Sequence, residues 1–249
     1  MEVSTDRVRD ARLDLAAAHR LAVRDGLSEG TWSHLTLIHP EDPERMLMSP
    51  PYWHWSQVTA SSLVDVGPGF AEDGAAWIAY RIHYPVHAAR RDAAAVLHVH
   101  SPAITAMSLL QDPRPRMVEQ SALYFLGRIA VSDEFDGLED RTGMGQGESM
   151  AAALGERCTV LILRNHGVVV TGPTVGHAYA ELYMLERTCR AQLTALATGL
   201  PLNELSEDQL RHFEERHEED LEKGGLADHT PHFEGMKKVI DVVEPDYRD

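Results

Sequence analysis

The chain has 249 residues, 39 acidic against 23 basic, and a formal net charge of −16; that length fits one large domain, or one domain with an extension. So acidic a composition argues against nucleic acid or an anionic membrane as partner, because both require basic patches. No apolar run approaches the roughly 20 residues that span a bilayer, and the charged first ten residues are not those of a signal peptide. The two cysteines, Cys158 and Cys189, fall in apolar-periodic segments and predict buried, reduced thiols, hence a cytoplasmic protein.

In chain order, Val8, Ala11, Leu15, Ala18 and Ala22 recur at helical spacing over Thr5 to Asp25, with Gly26 as the stop. Strand-like pieces follow at Ser33–Ile38 and Met46–Met48, with Pro40–Pro43 read as the turn. Pro50 to Trp55 reads as a stiff aromatic loop, and Trp53, His54 and Trp55 suit the wall of an aromatic-substrate pocket as well as plain packing. Asp73 to Arg90 reads as a helix kinked or restarted at Pro85, with Trp77, Tyr80 and Tyr84 on one side. Short helices are expected at Ala103–Leu110 and Gly147–Leu154. A long one at Thr174–Thr198 is expected to bury Leu182, Leu185, Cys189, Leu193 and Leu196. Ser206 to Gln209 is a capping box opening a charge-dense helix through Lys223 that stops at Gly224-Gly225; its apolar stripe of Leu210, Phe213 and Leu221 is thin. The division this suggests is a main domain over 1–200 and an acidic helical extension over 201–249. Alternating helices and strands indicate an α/β layered domain, and hairpin-length links in the first half argue against a purely parallel sheet.

Two short strings carry the chemistry. His98-Val99-His100 ends the apolar run from Ala93, and Asn165-His166-Gly167 follows Val160 to Leu163. Residues two apart on a strand share a face, so His98 and His100 can aim at one point, and His166 at the mouth of another strand can close a three-nitrogen set. Three neutral imidazoles with an open position are a catalytic arrangement for Zn²⁺, Fe²⁺ or Co²⁺, although a single strand histidine is more often an ordinary core or surface residue. Among weaker features, Gly143 to Gly147 could offer backbone N–H groups to an anion at the next helix but lacks the lysine of a P-loop.

The run Val96 to Ala103, followed by Leu161 to Gly172, closely resembles the class II aldolase/adducin family. The likeness extends to Arg20–Ala22, Ser33–Thr36, the Thr59-Ala60-Ser61 segment and the stretch from Ala178 to Gln192. It implies a three-layer α/β/α fold with a mixed, largely antiparallel central sheet. It also implies one divalent ion per subunit (zinc, iron, manganese or cobalt) on His98, His100 and His166, a small-molecule substrate, and a homo-oligomer, with a tetramer favoured.

The family's sugar-phosphate aldolases place an acid/base glutamate nineteen residues before the first paired histidine, and here that count lands on Ala79. Residues 77 to 82 hold no carboxylate, Ser33-His34 stands where glycine-asparagine is usual, and Ala75-Ala76 stands near the expected serine pair. A methyl group cannot move a proton, so standard retro-aldol cleavage of a sugar phosphate is not expected, and Ala79→Glu is expected to put a carboxylate near the metal. His83 and Tyr80 become the candidate catalytic residues, with His87 nearby and Glu119, Asp133 or Glu134 available from a neighbouring subunit. Ser101, Asn165, Arg164 and Trp53 are the candidate substrate contacts, and Glu148 a candidate for orienting a ligand imidazole. The main expectation is a metal-dependent lyase, for carbon–carbon cleavage or decarboxylation, on a small hydroxy or keto acid or a chelating carbonyl compound. A non-haem iron oxygenase on the same histidines, and a non-catalytic adducin-like binding domain, are the alternatives.

Overall fold

The computed structural model describes residues 6–70, 74–133, 145–222 and 230–249. Its first half holds α1 (Arg7–Arg24), β1 (His34–His39), β2 (Asp42–Met48), β3 (Val64–Val66), α2 (Ala75–Ala89), β4 (Ala95–Val99) and α3 (Pro102–Ser108). There follow α4 (Gln120–Leu123), β5 (Ile129–Ser132), α5 (Gly145–Leu154), β6 (Val160–Leu163), β7 (Gly167–Gly172), α6 (Val175–Leu196), α7 (Glu207–Glu222) and α8 (Thr230–Val243).

The seven strands form one sheet in the order β3-β2-β1-β4-β7-β6-β5. Every pairing is antiparallel except β5 with β6, so the sheet is mixed and largely antiparallel as the sequence implies. Helices cover both faces, which is why the central strands read as unbroken apolar runs. On β4, Leu97 and Val99 enter the larger core with α1, α3 and α6, while Val96 turns to the opposite face, toward α2 and α5. The same alternation sends Val168 and Val170 of β7 one way and Val169 the other. By that parity His98, two residues beyond Val96, lies on the α2 and α5 face.

Local signals explain most element ends. Asp6 accepts from Arg9 N at the start of α1, Gly26 follows its end at φ +73, and Thr174 accepts from His177 N at the start of α6. The capping box opens α7 in both directions, Ser206 N to Gln209 Oε1 at 2.9 Å and Gln209 N to Ser206 Oγ at 3.2 Å. Lys223 and the expected Gly224-Gly225 stop lie outside the described residues.

Several places differ from the reading or add to it. The β1–β2 turn is only Pro40-Glu41; Pro43 belongs to β2, where its position one residue inside the strand start tolerates the missing N–H. Pro85 sits inside one continuous α2, so the helix does not restart there. Leu193 is half-buried and Leu196 is exposed, because the last turns of α6 run past the core. After α7 the chain returns to the main body: Phe233 and Ile240 of α8, with Tyr247, are fully buried beside α1 and α6. A Cβ on Gly176 would lie 2.8 Å from Phe233 Cδ1, so glycine there lets the ring seat on α6. Arg20 closes the end of the chain by pairing with Glu244 and Asp246 while donating to Val58 O.

Two buried histidines make the fold acid-sensitive. His19 bonds through Nδ1 to Leu15 O and packs edge-on against Trp55; His87 bonds through Nδ1 to Ala93 O and through Nε2 to Thr36 Oγ1. Burial lowers each from 6.5 to about 4. The unfolded chain therefore binds more protons between those values, so the stability these groups contribute is complete above pH 6.5 and lost as pH falls toward 4, to an extent of up to roughly 3 kcal/mol per residue. Urea unfolding at pH 7.5, 5.5 and 4.5 is expected to show falling stability, with a shallower fall in His19→Gln. A pH-independent midpoint would contradict the assignment.

Candidate metal centre

The three histidines converge. β4 carries His98, and His100 follows its end on the same face; the β6–β7 turn carries His166. Ring centroids are 4.8 Å apart for His98 and His100, 5.1 Å for His98 and His166, and 4.6 Å for His100 and His166. One ring nitrogen from each lies within 4.8 Å of the other two. The Nε2 atoms of His98 and His100 are 3.1 Å apart. Nitrogens each about 2.1 Å from a shared ion, at angles of about 90–110°, lie roughly 3.0–3.4 Å apart, so this pair fits a common metal.

In two of the three histidines the second ring nitrogen is committed elsewhere. His98 Nδ1–H donates to Val168 O at 3.0 Å, leaving its Nε2 lone pair for the cluster. His100 Nδ1 contacts the carboxylate of Glu29. Metal-binding imidazoles are oriented by such outer bonds to carbonyls and carboxylates. Burial, with His100 and His166 adding to it, holds His98 well below its ordinary value; burial and then His100 lower His166. Both rings are neutral at pH 7, the form that binds a cation.

The backbone around them is tightly specified. Asn165, at φ +57, turns the chain between Leu163 and Gly167, and His166 N donates to Leu163 O at 3.1 Å. A Cβ on Gly167 would lie 2.5 Å from Val99 O and 2.8 Å from His100 Cδ2, so only glycine lets β7 begin against the end of β4. Beyond His100, the first turn of α3 is held by the buried Glu186 of α6, which accepts from Ala103 N at 3.1 Å and Ile104 N at 3.0 Å.

The cluster opens into a cavity of about 770 Å³. Three non-glycine residues among those described adopt positive φ: Ser33 (83°), Tyr52 (63°) and Asn165 (57°), and all three line this cavity. Such conformations persist where surrounding structure imposes them, commonly at ligand sites.

Of the candidate contacts, Trp53 and Asn165 line the cavity. Arg164 does not: it is paired with Asp133 and donates to Leu110 O and Gln111 O. Ser101 is buried at the start of α3, outside the cavity lining. Tyr80 is also outside, stacked between Trp77 and Tyr84 with its hydroxyl on Glu44 O at 2.9 Å. His83 lies behind the cavity, bonded to Thr36 Oγ1 at 2.8 Å, its ring edge-on to His34 and His98. Glu119 accepts from Thr188 Oγ1 and Ser121 N. His54 bonds Ser56, and Glu148 does not line the cavity. Glu134 lies outside the described residues, as do Gly143 and Met144.

Ala79 needs a correction. It is fully buried with Met46, Met48, Val66 and Tyr80, so a glutamate there would enter that cluster and not the cavity. The α2 residues that line the cavity are Ala75, Ile78, Arg81 and Ile82, none of them acidic.

Two lining residues close to the histidine cluster are not among the candidate ligands or substrate contacts, His34 being noted only where glycine-asparagine is usual. Glu29, the sole carboxylate among the described lining residues, sits in the turn before β1 and touches His100. His34 pairs opposite His98 across β1 and β4. Its Nδ1 is buried without a partner, and burial followed by the nearby His100 lowers it from 6.5 to about 4. The parity of His34 opposite His98 was the available signal for the second; nothing local marks the first.

Comparison with known proteins agrees with this architecture. Residues 13–193 match the Class II Aldolase and Adducin N-terminal domain. A Caulobacter vibrioides protein named "Putative aldolase class 2 protein" is 32% identical over 81% of this chain and 80% of its own length. Mouse alpha-adducin is 34% identical over 76% of this chain, but the match spans only 26% of the adducin. Among solved structures, an aldolase II superfamily protein from Pseudomonas syringae superimposes with a TM-score of 0.85 at 29% identity, covering 98% of this chain and 97% of the other. An L-fuculose 1-phosphate aldolase from Glaciozyma antarctica PI12 gives 0.81 at 24% identity, over 100% and 96%, a likeness of fold.

The contact at Gly167 yields a direct test. Gly167→Ala is expected to force β7 away from β4 and destabilise the protein by about 1–3 kcal/mol, the usual range for overpacking. Chemical denaturation measures it, and an unchanged midpoint would contradict the close approach.

Proposed function

The chain belongs to the class II aldolase and adducin family, and on that premise we propose that it is a divalent-metal-dependent lyase using His98, His100 and His166. Its substrate is a small hydroxy or keto acid, or another carbonyl compound able to chelate through two oxygens. One observation carries this reading: three imidazoles, two of them oriented through their outer nitrogens, meet at a cavity large enough for such a substrate. When bound, a divalent ion there supplies Lewis-acid stabilisation of charge developing on substrate oxygens.

The chain's own residues supply the rest. Val168 O and Glu29 hold the rings of His98 and His100 in ligating orientation. Asn165 sets the turn that brings His166 to the cluster. His34 lines the cavity, and a neutral imidazole can accept a proton there. The lining face of α2 offers no acid for the sugar-phosphate route.

No helix among the described residues is long and apolar enough to cross a membrane. We read the protein as a cytoplasmic homo-oligomer, with a tetramer favoured, and α7, on which Leu210 and Phe213 are half-buried, suits docking on a neighbouring surface. A second reading, iron-dependent oxygenation on the same histidines, is favoured by the aromatic residues at the cavity, Trp53 and Trp55 among them. An adducin-like binding role is favoured by the identity to adducins, while retention of all three histidines weighs against it.

Elemental analysis of protein purified without added ions or a chelating tag tests the proposal. About one divalent ion per chain is expected, lost in His98→Ala, His100→Ala and His166→Ala with circular dichroism unchanged. Glu29→Ala is expected to weaken metal affinity about 10–100-fold. Iron with substrate-dependent oxygen uptake would move the assignment to the oxygenase, and metal-free wild-type protein would remove the catalytic reading. Metal-replete protein is also expected not to cleave fuculose-, rhamnulose- or ribulose-type phosphates at an enzymatic rate; robust turnover would show that an acid/base group does reach the site.

A further inference from the structure

The cavity's charge and walls are more selective than its metal cluster requires. Arg81 is the sole arginine or lysine among the described lining residues, and only 9% of it is exposed. Its turn of α2 is fixed from outside: a Cβ on Gly147 of α5 would lie 2.6 Å from the carbonyl oxygens of both Arg81 and Ile82. The guanidinium is thus carried on a rigid helix pair, with Gln146 and Ser149 of α5 on the same cavity. A guanidinium presents five N–H donors in a planar fork and can take a carboxylate edge-on while holding another neighbour. The two oxygens of a carboxylate fit one edge of that fork.

The remaining walls are apolar and partly aromatic. Trp53, Tyr52 and Trp32 line the cavity and remain 44%, 78% and 73% exposed, while Ile78 and Met150 line it from α2 and α5. Large aromatic side chains left uncovered around a cavity offer stacking surface. A volume of about 770 Å³ lies in the upper part of the range that takes drug-sized ligands, well beyond a three-carbon acid. Two of the three residues with positive φ among those described, Ser33 and Tyr52, adjoin Trp32 and Trp53 in the chain.

We propose that the site takes aromatic carboxylates, with Arg81 binding the carboxylate and the aromatic residues around Trp53 holding the ring. Where the ring carries hydroxyl groups, as in 3,4-dihydroxybenzoate, their approach to the histidines rests on the metal-dependent reading above; the carboxylate and ring contacts do not.

Titration calorimetry with benzoate, benzamide, 3,4-dihydroxybenzoate and lactate separates these elements. On metal-loaded wild-type protein, 3,4-dihydroxybenzoate is expected to bind at least tenfold more tightly than lactate, and benzoate at least tenfold more tightly than benzamide. Arg81→Gln is expected to weaken benzoate tenfold or more, to leave benzamide unchanged, and to keep metal content and melting temperature. Should Arg81→Gln not fold, Arg81→Lys, with charge but no fork, is expected to fall between. Trp53→Ala is expected to weaken the ring compounds and spare lactate. Benzoate binding that ignores the loss of Arg81, or lactate binding as tightly as the aromatic acids, would overturn the proposal. Repeating the benzoate series on His166→Ala protein distinguishes the two readings: dependence on Arg81 without metal supports the carboxylate anchor even if the metal reading fails, whereas bound metal with no Arg81 effect removes the anchor alone.

Discussion

The site depends on how closely β7 begins against the end of β4. At Gly167 the backbone comes so near Val99 and His100 that no side chain fits, and that proximity places His166 of the turn beside the paired histidines of the strand. The pairing then supplies its own orientation, since Val168 O, one residue beyond Gly167, receives the Nδ1–H of His98. Backbone register and ring tautomer are therefore set by one contact. Glu186 secures the far side by holding the first turn of α3, which keeps the chain after His100 from swinging out.

Electrostatics at this end of the sheet are sparse and specific. Burial keeps His34, His98 and His166 neutral, so the cluster offers lone pairs and does not repel a cation. One carboxylate, Glu29, and one guanidinium, Arg81, are the charged lining groups among the described residues, and the carboxylate is tied to a histidine. In a chain with an excess of 16 negative charges, a cavity so poor in acids follows from which faces the strands and α2 present, not from composition.

Much of this was readable in the chain, for definite physical reasons. Two-residue spacing on a strand forces His98 and His100 to one face, and Asn165-His166-Gly167 between apolar runs marks a tight turn, so the triad and the antiparallel tendency of the sheet were legible. Glu29 was not: it lies 71 residues from His100 in an exposed turn of an acid-rich chain, where one more glutamate carries no local signal. Ala79 shows the limit of counting along a helix, because each residue turns the face by about 100° and only packing decides which face meets the cavity. The count reached the right helix, yet Ile78, Arg81 and Ile82 line the site while Ala79 joins Met46 and Met48. For the same reason Arg81 stayed hidden inside an apolar-looking helix. The docking of α8 turns on Phe233 meeting the glycine at 176, a fit between distant residues that periodicity cannot register.

X-ray absorption at the edge of the metal retained by the purified protein tests the central claim most directly. The account predicts three imidazole nitrogens at about 2.0–2.2 Å in the first shell, and loss of the metal signal in His166→Ala. A first shell made of oxygen or sulfur without imidazole scattering, or one unchanged by that substitution, would contradict it.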